Sequence, residues 1–473
     1  MRDEEKTTSS LDSPVRTRFA PSPTGYLHLG NARIALINYV VALRSRGAFL
    51  LRMEDTDPER SRPYYVEAIK EDLKWLGLSW RGEVVFQSQR MGVYRRKAWE
   101  LWEKGLAYPC FCTREELEAH RQECMRKGRP PRYSGRCRGL SQDEIQARVT
   151  EGEPFSLRFR VDPRSQVRWR DVIKGSKRFR GKDLDDIVLL RADGTPTYHL
   201  AVVVDDGEMG ITHVIRGEDH LANTPYHILL FEAFGYPVPA FAHVPLVRAP
   251  EGEVLEKREG GPWTLKRLRE EGYLPLAVFN LLIALGWNPP HKPPITWGEV
   301  LEAFSLEEIS SSPVTFSPST LVSINRKLIA TAPLEEVLGA LEPFLPSNFP
   351  CERLEEAVAL VRENTSTLVE LAQWVEKLVV GPGPVELTEE EGAILRALVF
   401  SKGEGITWLE ALEGKAREME KEGKRLLFRA VRKALLGLPQ GPPMKELIAF
   451  LGERETSRRL ADVITDGIES SYG

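Results

Sequence analysis

Cysteine is scarce in this chain, with five among 473 residues. So few thiols in so long a chain make no disulfide framework, and a reducing, cytoplasmic setting is the expectation. Long apolar runs are missing as well. No stretch of roughly 18 uncharged apolar residues occurs, so no segment is a candidate for a membrane-spanning helix and no membrane partner is expected. A charge excess is also lacking, since 65 basic residues against 69 acidic ones leave a net charge of −4. Contact with nucleic acid therefore has to be argued from local patches and not from the whole chain. We find no internal repeat and no low-complexity tract. The opening MRDEEKTTSSLDSP is acidic and polar, unlike a signal peptide or an arginine-rich transit peptide, and residues 1–14 read as a flexible leader.

What is present starts with an apolar fraction of 42%, ample for real cores, in a length that suggests three or four domains. The most informative stretch is residues 15–57, VRTRFAPSPTGYLHLGNARIALINYVVALRSRGAFLLRMEDTD. Residues 15–20 alternate and are bounded by prolines, as a short strand would be. PSPTG can continue neither a strand nor a helix. Residues 31–46 carry Ile34, Ile37 and Val41 at helical spacing, with Arg44 and Arg46 in the last turn and Gly47 as the stop. Residues 48–53 read as a second buried strand, followed by Glu54, Asp55 and Asp57. A turn between a strand and a helix aims backbone N–H groups and the positive end of the helix dipole outward, which makes a phosphate or carboxylate site. His28 can donate to a phosphate there, and Gly30 lets a ligand approach closely. The plainer alternative is an ordinary turn in which His28 caps the helix.

Helices are expected over residues 63–76 and 94–104. The composition then shifts. Residues 110–138 hold CFC, a polar helix over about 113–127, and GRPPRYSGRC, with eight basic and four acidic residues. Residues 155–179 look β-rich, and 158–182 carry ten basic residues against two acidic. Such a run is either a solvated sheet face or a surface that neutralises phosphates along an RNA backbone. Beyond it, residues 187–191 and 199–204 read as short apolar strands around the turn at Asp193 and Gly194. A strand over 210–216 and a helix over 223–234 follow, the pattern of the second half of a doubly wound sheet. From Tyr273 the pattern turns helical, through 297–304, 306–309 and SSPVTF to about Ala330. From Leu334 it stays helical with breaks at 343–350, 381–384 and 438–443.

RFAPSPTGYLHLGNAR followed by FLLRMEDTD closely resembles the opening of glutamyl-tRNA synthetases, class I enzymes, with HLGN in place of their HIGH-type motif. The resemblance runs over about residues 15–330 and includes the text around YHLAVVVDD and VIRGEDHLANTP. It implies a Rossmann-like α/β catalytic domain with an α+β acceptor-binding insertion, followed by an α-helical C-terminal anticodon-binding region. The expected divisions are catalytic halves at 15–105 and 206–245, the insertion at 106–205, a stem-contact region at 246–330 and the helical region at 331–473. The glutaminyl relatives use β-barrels at the end, so the missing strand signals favour the glutamyl side.

The implied activity is glutamate–tRNA ligation. Glutamate attacks the α-phosphate of ATP, and the terminal ribose hydroxyl of tRNA-Glu then attacks the activated carbonyl, with tRNA-Gln left open as a second acceptor. By matching position, Arg18 and Arg216 hold the substrate's carboxylates, Glu54 faces its amino group, Tyr198 lines the pocket, and Ala20 and Ser22 contact it. His28, Gly30, Lys257 and Arg258 match the catalytic and ATP-binding positions, and Mg2+ accompanies ATP. Two positions depart from the family pattern. Its KLSKR or KISKR reads VLEKR here, with Val254 and Glu256 replacing lysine and serine, and its YHLANVVDD-type asparagine is Val202. These departures keep open a non-catalytic tRNA-binding paralogue. A nucleotidyltransferase with a small acidic substrate, and a short relative that glutamylates a tRNA base, are weaker matches. The relatives are mostly monomers, which is the expectation here.

Cys110, Cys112, Tyr133 and Cys137 bracket a helix, and three thiolates with a fourth donor would satisfy tetrahedral Zn2+. Some relatives carry structural zinc on such a CxC…YxxxC arrangement, while others use a histidine where this chain has Gly139. Free thiols are the alternative, and Cys124 on the intervening helix competes.

Overall fold

The computed structural model describes residues 14–253 and 261–469, and its contacts divide the chain into two compact units. One takes the chain up to Lys266 together with Leu282–Ser317, and the other takes Arg267–Leu281 and the chain from Pro318.

The first unit opens with β1 (Arg16–Phe19), α1 (Leu29–Arg44) and β2 (Ala48–Met53). All six residues of β2 are buried, as the middle strand of a covered parallel sheet is, and all but Arg52 are apolar. Gly47 is needed for the tight return into β2, because a Cβ there would stand 2.0 Å from the Val15 carbonyl oxygen. Then come α2 (Pro63–Trp75), with proline in its first turn, β3 (Val85–Phe86) and α3 (Met91–Glu103). The three strands pair in parallel with β2 in the middle, Arg18 opposite Leu50 and Met53 opposite Phe86.

The inserted segment follows. β4 (Ala107–Cys110), α4 (Arg114–Arg126), α5 (Gln142–Thr150), β5 (Ser156–Phe159), β6 (Gln166–Asp171), β7 (Gly175–Arg180) and β8 (Val188–Leu190) appear in that order. Capping boxes start both helices, Thr113 with Glu116 and Ser141 with Glu144. β4, β5 and β8 form one antiparallel sheet, and β6 and β7 a separate two-stranded ribbon.

The chain returns through α6 (Tyr198–Glu208), β9 (His213–Gly217), α7 (Thr224–Phe234) and β10 (Ala240–Val244). β9 and β10 are parallel, and β9 lies along β1, where Thr212 N donates to the Arg16 carbonyl at 3.0 Å. Two parallel half-sheets thus meet between β1 and β9, leaving a crevice at the strands' carboxyl ends.

The reading of 199–204 as a strand is corrected, because that stretch lies inside α6. Residues 200–206 are all buried, and a helix buried on every side has the same unbroken apolar text as a buried strand. The helical reading of SSPVTF is corrected too. Val314–Thr315 is a strand, β12, paired in parallel with β11 (Val247–Arg248). Pro313 and the β-branched pair after it favour that extended backbone. Residues 306–309 make one tight 3-10 turn, Leu306–Glu308, and not a longer helix.

The second unit is helical from Pro318–Thr331 through Met444–Glu469 and has its own core, centred on Leu371, Val375, Leu395, Val431 and Leu447. Arg267–Leu281 is stitched into it. The Asn325 side chain accepts from Leu274 N at 2.8 Å and donates to the Ser366 carbonyl at 2.6 Å, and Leu368 N donates to the Gly272 carbonyl at 2.9 Å. Among the described residues no helix is long and apolar enough to cross a membrane.

Candidate active site

The carboxyl ends of β1, β2, β9 and β10 and the entrance of α1 enclose a cavity of about 520 Å³. Arg18, Ala20, Ser22, His28, Gly30, Glu54, Tyr198 and Arg216 all line it, from five separate segments of chain. Lys257 and Arg258, with Val254 and Glu256, lie outside the described residues. Val202, one turn beyond Tyr198 on α6, is buried and is not among the lining residues.

α6 ends in two buried acids that organise the cations. Asp206 takes Arg18 Nε at 3.0 Å and Arg52 Nη1 at 2.6 Å, and Arg52 reaches Glu54 at 3.3 Å. Asp205 accepts from Gln87 at 2.8 Å, from Arg90 at 2.8 Å and from the Tyr94 hydroxyl at 2.8 Å. Burial pushes the Glu54 carboxyl above its ordinary value, against the pull of Arg52 and Arg18. Burial likewise pushes the Tyr198 phenol up to about 12, so it stays a neutral hydrogen-bonding group. Sequence reasoning missed Asp205, Asp206 and Arg52. The signal was there in Arg52, an arginine inside the apolar run AFLLRM, since a guanidinium buried in such a strand has to find hydrogen-bond acceptors, and acids are the strongest of these.

Arg216 differs from Arg18. Its side chain is buried, and no described carboxylate forms an ion pair with it. Burial lowers its pKa, and the Arg18 charge adds to the effect, against the opposing pull of Tyr198 and of the more distant Asp206. Among the described residues Arg18 thus has a carboxylate in direct contact, shared with Arg52, and Arg216 has none.

At the entrance of α1, His28 is the N-cap, and its Nδ1 accepts from Gly30 N at 3.1 Å. An accepting nitrogen carries no hydrogen, so the neutral ring keeps its hydrogen on Nε2, where it can be donated to a phosphate oxygen. The capping and ligand-binding readings of His28 are thus compatible. A Cβ on Gly30 would stand 3.0 Å from that ring, so glycine keeps the imidazole in place.

In the insertion, the sulfurs of Cys110, Cys112 and Cys137 all lie within 4.8 Å of one another. The Tyr133 hydroxyl is 3.2 Å from the Cys110 sulfur and 3.7 Å from that of Cys112. A tetrahedral ion with metal–sulfur bonds of about 2.3 Å sets its sulfurs about 3.8 Å apart, and Cys112 and Cys137 are 3.6 Å apart. The donor set fits zinc. Cys124 stands aside, 3.5 Å from His120 on the same helix.

The β6–β7 ribbon divides its faces by charge. Val167, Trp169 and Phe179 turn inward, the two rings stacked at 5.7 Å, while Arg168, Arg170, Arg178 and Arg180 are exposed. Arg168 sits directly opposite Arg178. Like charges so placed destabilise a ribbon until an anion covers them.

Fold and crevice together define a class I aminoacyl-tRNA synthetase. Residues 14–325 match the family model for tRNA synthetases class I (E and Q), catalytic domain, and residues 336–464 match that for an anticodon binding domain. The glutamate–tRNA ligase of Aquifex aeolicus is 41% identical over 96% of this chain and 99% of its own length. That of Geobacter sulfurreducens is 39% identical over 95% and 98%. The crystal structure of a glutamate tRNA ligase from Elizabethkingia meningosepticum in complex with its amino acid superposes with a TM-score of 0.82. That match is at 30% identity and covers 96% of this chain and 99% of the other. The chain belongs to the class I glutamate–tRNA ligase family.

Proposed function

We propose that the protein joins L-glutamate to tRNA-Glu in two steps within the crevice between β1 and β9. In the first, a glutamate carboxylate oxygen bonds to the α-phosphorus of ATP and pyrophosphate leaves. In the second, a terminal ribose hydroxyl of the tRNA bonds to the acyl carbon, losing its proton, and AMP leaves. No protein nucleophile is needed, so the protein's part is to position reactants and stabilise negative charge. The observation that carries this reading is the single cavity in which two arginines, a glutamate, a tyrosine and a phosphate-type helix entrance converge.

In this reading Arg18 and Arg216 take the substrate's two carboxylates, Glu54 its ammonium, and Tyr198, Ala20 and Ser22 complete the pocket. His28 Nε2 and the open approach at Gly30 receive the nucleotide's phosphates, and Lys257 and Arg258 join them. ATP enters as its Mg2+ complex, whose cation neutralises part of the phosphate charge. The arginine face of β6–β7 supplies sequence-independent affinity for the tRNA backbone. Cys110, Cys112, Cys137 and Tyr133 would hold a structural Zn2+ that ties β4 to the loop after α4. We further propose a cytoplasmic monomer that leaves tRNA-Gln uncharged or charges it as a second acceptor. The non-catalytic paralogue gains no support, since every described candidate for the amino acid and nucleotide lines one cavity.

The test is glutamate-dependent exchange of pyrophosphate into ATP, with and without total tRNA, alongside charging of tRNA-Glu and tRNA-Gln. Charged tRNA-Glu is the expected outcome, and charged tRNA-Gln decides the second acceptor. Tight tRNA binding without exchange or charging under any condition would overturn the reading. For the metal, elemental analysis should find about one zinc per chain, lost in Cys137→Ser.

A further inference from the structure

The groups around Arg216 form two chains, and in each the group that accepts directly from the guanidinium is a neutral imidazole. Arg216 Nε donates to His243 Nε2 at 3.2 Å, and Nη1 donates to His227 Nδ1 at 3.1 Å and to the Tyr198 hydroxyl at 3.5 Å. Nη2 donates to Thr224 Oγ1 at 3.0 Å and to the His220 carbonyl at 3.3 Å. A guanidinium only donates, so these contacts fix where each ring keeps its hydrogen. His227 holds its hydrogen on Nε2, facing His199 Nδ1 at 3.2 Å. His243 holds its hydrogen on Nδ1 and donates it to Asp171 at 2.5 Å. Asp171 is itself fixed, accepting the backbone N–H groups of His243, Ile173 and Lys174. Burial is the largest cause of a lowered pKa at His199, His227 and His243, in keeping with neutral rings.

We infer that Asp171–His243 and His199–His227 are positioning arms that aim Arg216 while leaving its charge unbalanced for a substrate carboxylate. The inference rests on the ligase reading and extends it to four residues outside the cavity lining. A protein carboxylate in direct contact would fix Arg216 equally well but would offset its charge, as Asp206 offsets part of the charge of Arg18. An imidazole accepts a hydrogen bond without adding a negative charge, and Asp171, one ring removed, only sets the tautomer of His243. Of the five donated bonds the one to Tyr198 is longest, and Arg216 and Tyr198 both line the cavity. That donor is the one an incoming carboxylate takes over.

The test compares the unsubstituted full-length protein with His227→Leu, His227→Gln and Asp171→Asn. Leucine removes the acceptor for Arg216. Glutamine restores it, with its amide nitrogen still able to donate to His199. Asparagine lets His243 adopt the other tautomer, which would point N–H at N–H. The readouts are KM for glutamate and KM for ATP in tRNA charging, and the nitrogen-15 spectrum of histidine-labelled protein at neutral pH. Losing a hydrogen bond to a charged group corresponds to about tenfold or more. His227→Leu and Asp171→Asn should raise KM for glutamate by that amount and leave KM for ATP within about twofold, while His227→Gln stays near the unsubstituted value. The spectrum should show His243 protonated at Nδ1 alone and His227 at Nε2 alone. Equal changes in both KM values, a glutamine variant as impaired as the leucine one, or either ring charged or in the opposite tautomer would overturn the inference. If the unsubstituted protein charges no tRNA with glutamate, the ligase reading fails on that result, and the spectrum still decides the two arms.

Discussion

Asp206 carries the charge of two buried guanidiniums, those of Arg18 and Arg52, and is itself shielded from water. Removing one partner of a buried ion pair leaves an uncompensated charge and costs about 3–5 kcal/mol. Asp206→Ala should therefore destabilise the first unit by about that much, read as a lowered urea midpoint, and should weaken glutamate binding through Arg18. A midpoint unchanged from the unsubstituted protein would remove Asp206 from this role. The histidines make a second prediction at this scale. His199 and His220 are held at about 4 against an ordinary 6.5, chiefly by burial. Below pH 6.5 the unfolded chain takes up protons that the folded chain refuses, so stability is fully present above that pH and falls as pH drops toward 4. Asp171 and Asp206 are shifted below the ordinary carboxylate value despite their burial, so their contribution is lost only in stronger acid. The melting temperature should thus begin to fall within the histidine range. A melting temperature flat from about pH 8 to 5 would contradict the neutral histidine cluster.

Among the elements, the β6–β7 ribbon has a clear division of labour between its faces. Each phosphate neutralised by a cation adds about 0.7 to 0.9 to the slope of log affinity against log salt. Arg168→Ala with Arg178→Ala should weaken tRNA binding and flatten that slope by about 1.4 to 1.8 if each arginine meets one phosphate. Nucleotide binding without tRNA should be untouched. An unchanged slope would make the ribbon a solvated face only. The ribbon's basic character was legible in the text of residues 158–182, but the sidedness was not, because it depends on which alternate residues pack inward. β1, α1 and β2 were equally legible, since prolines, helical spacing and Gly47 mark their ends. α6 was not, since its LAVVV run is apolar and largely β-branched and only its surroundings make it a helix.

The molecule as a whole consists of two units with separate hydrophobic cores, and their boundary is not a single cut in the chain. Arg267–Leu281 belongs to the second unit, fastened by Asn325, whose buried amide bridges Leu274 and Ser366. Asn325→Ala leaves a part-buried N–H and a part-buried carbonyl to find other partners, at about 1–2 kcal/mol. Calorimetry should show that loss in the unfolding of the helical unit, while the first unit keeps its melting temperature. A shift in the first unit alone would contradict this assignment.

While the candidate glutamate set came through the family resemblance, the sequence by itself determined the parallel α/β organisation, the helical carboxyl-terminal region and the crevice motif at His28 and Gly30. These are written in local periodicity, turn chemistry and fixed motif spacing, all of which survive in one dimension. The tertiary structure alone decided the balance of charge. It gave Asp206 to Arg18 and Arg52, surrounded Arg216 with neutral imidazoles, and brought three thiols and a tyrosine together while leaving Cys124 aside. Those outcomes turn on distances of about 3 Å between residues up to 188 positions apart, as Arg18 and Asp206 are. No local pattern encodes such a distance, because it is fixed only when the two half-sheets close against each other.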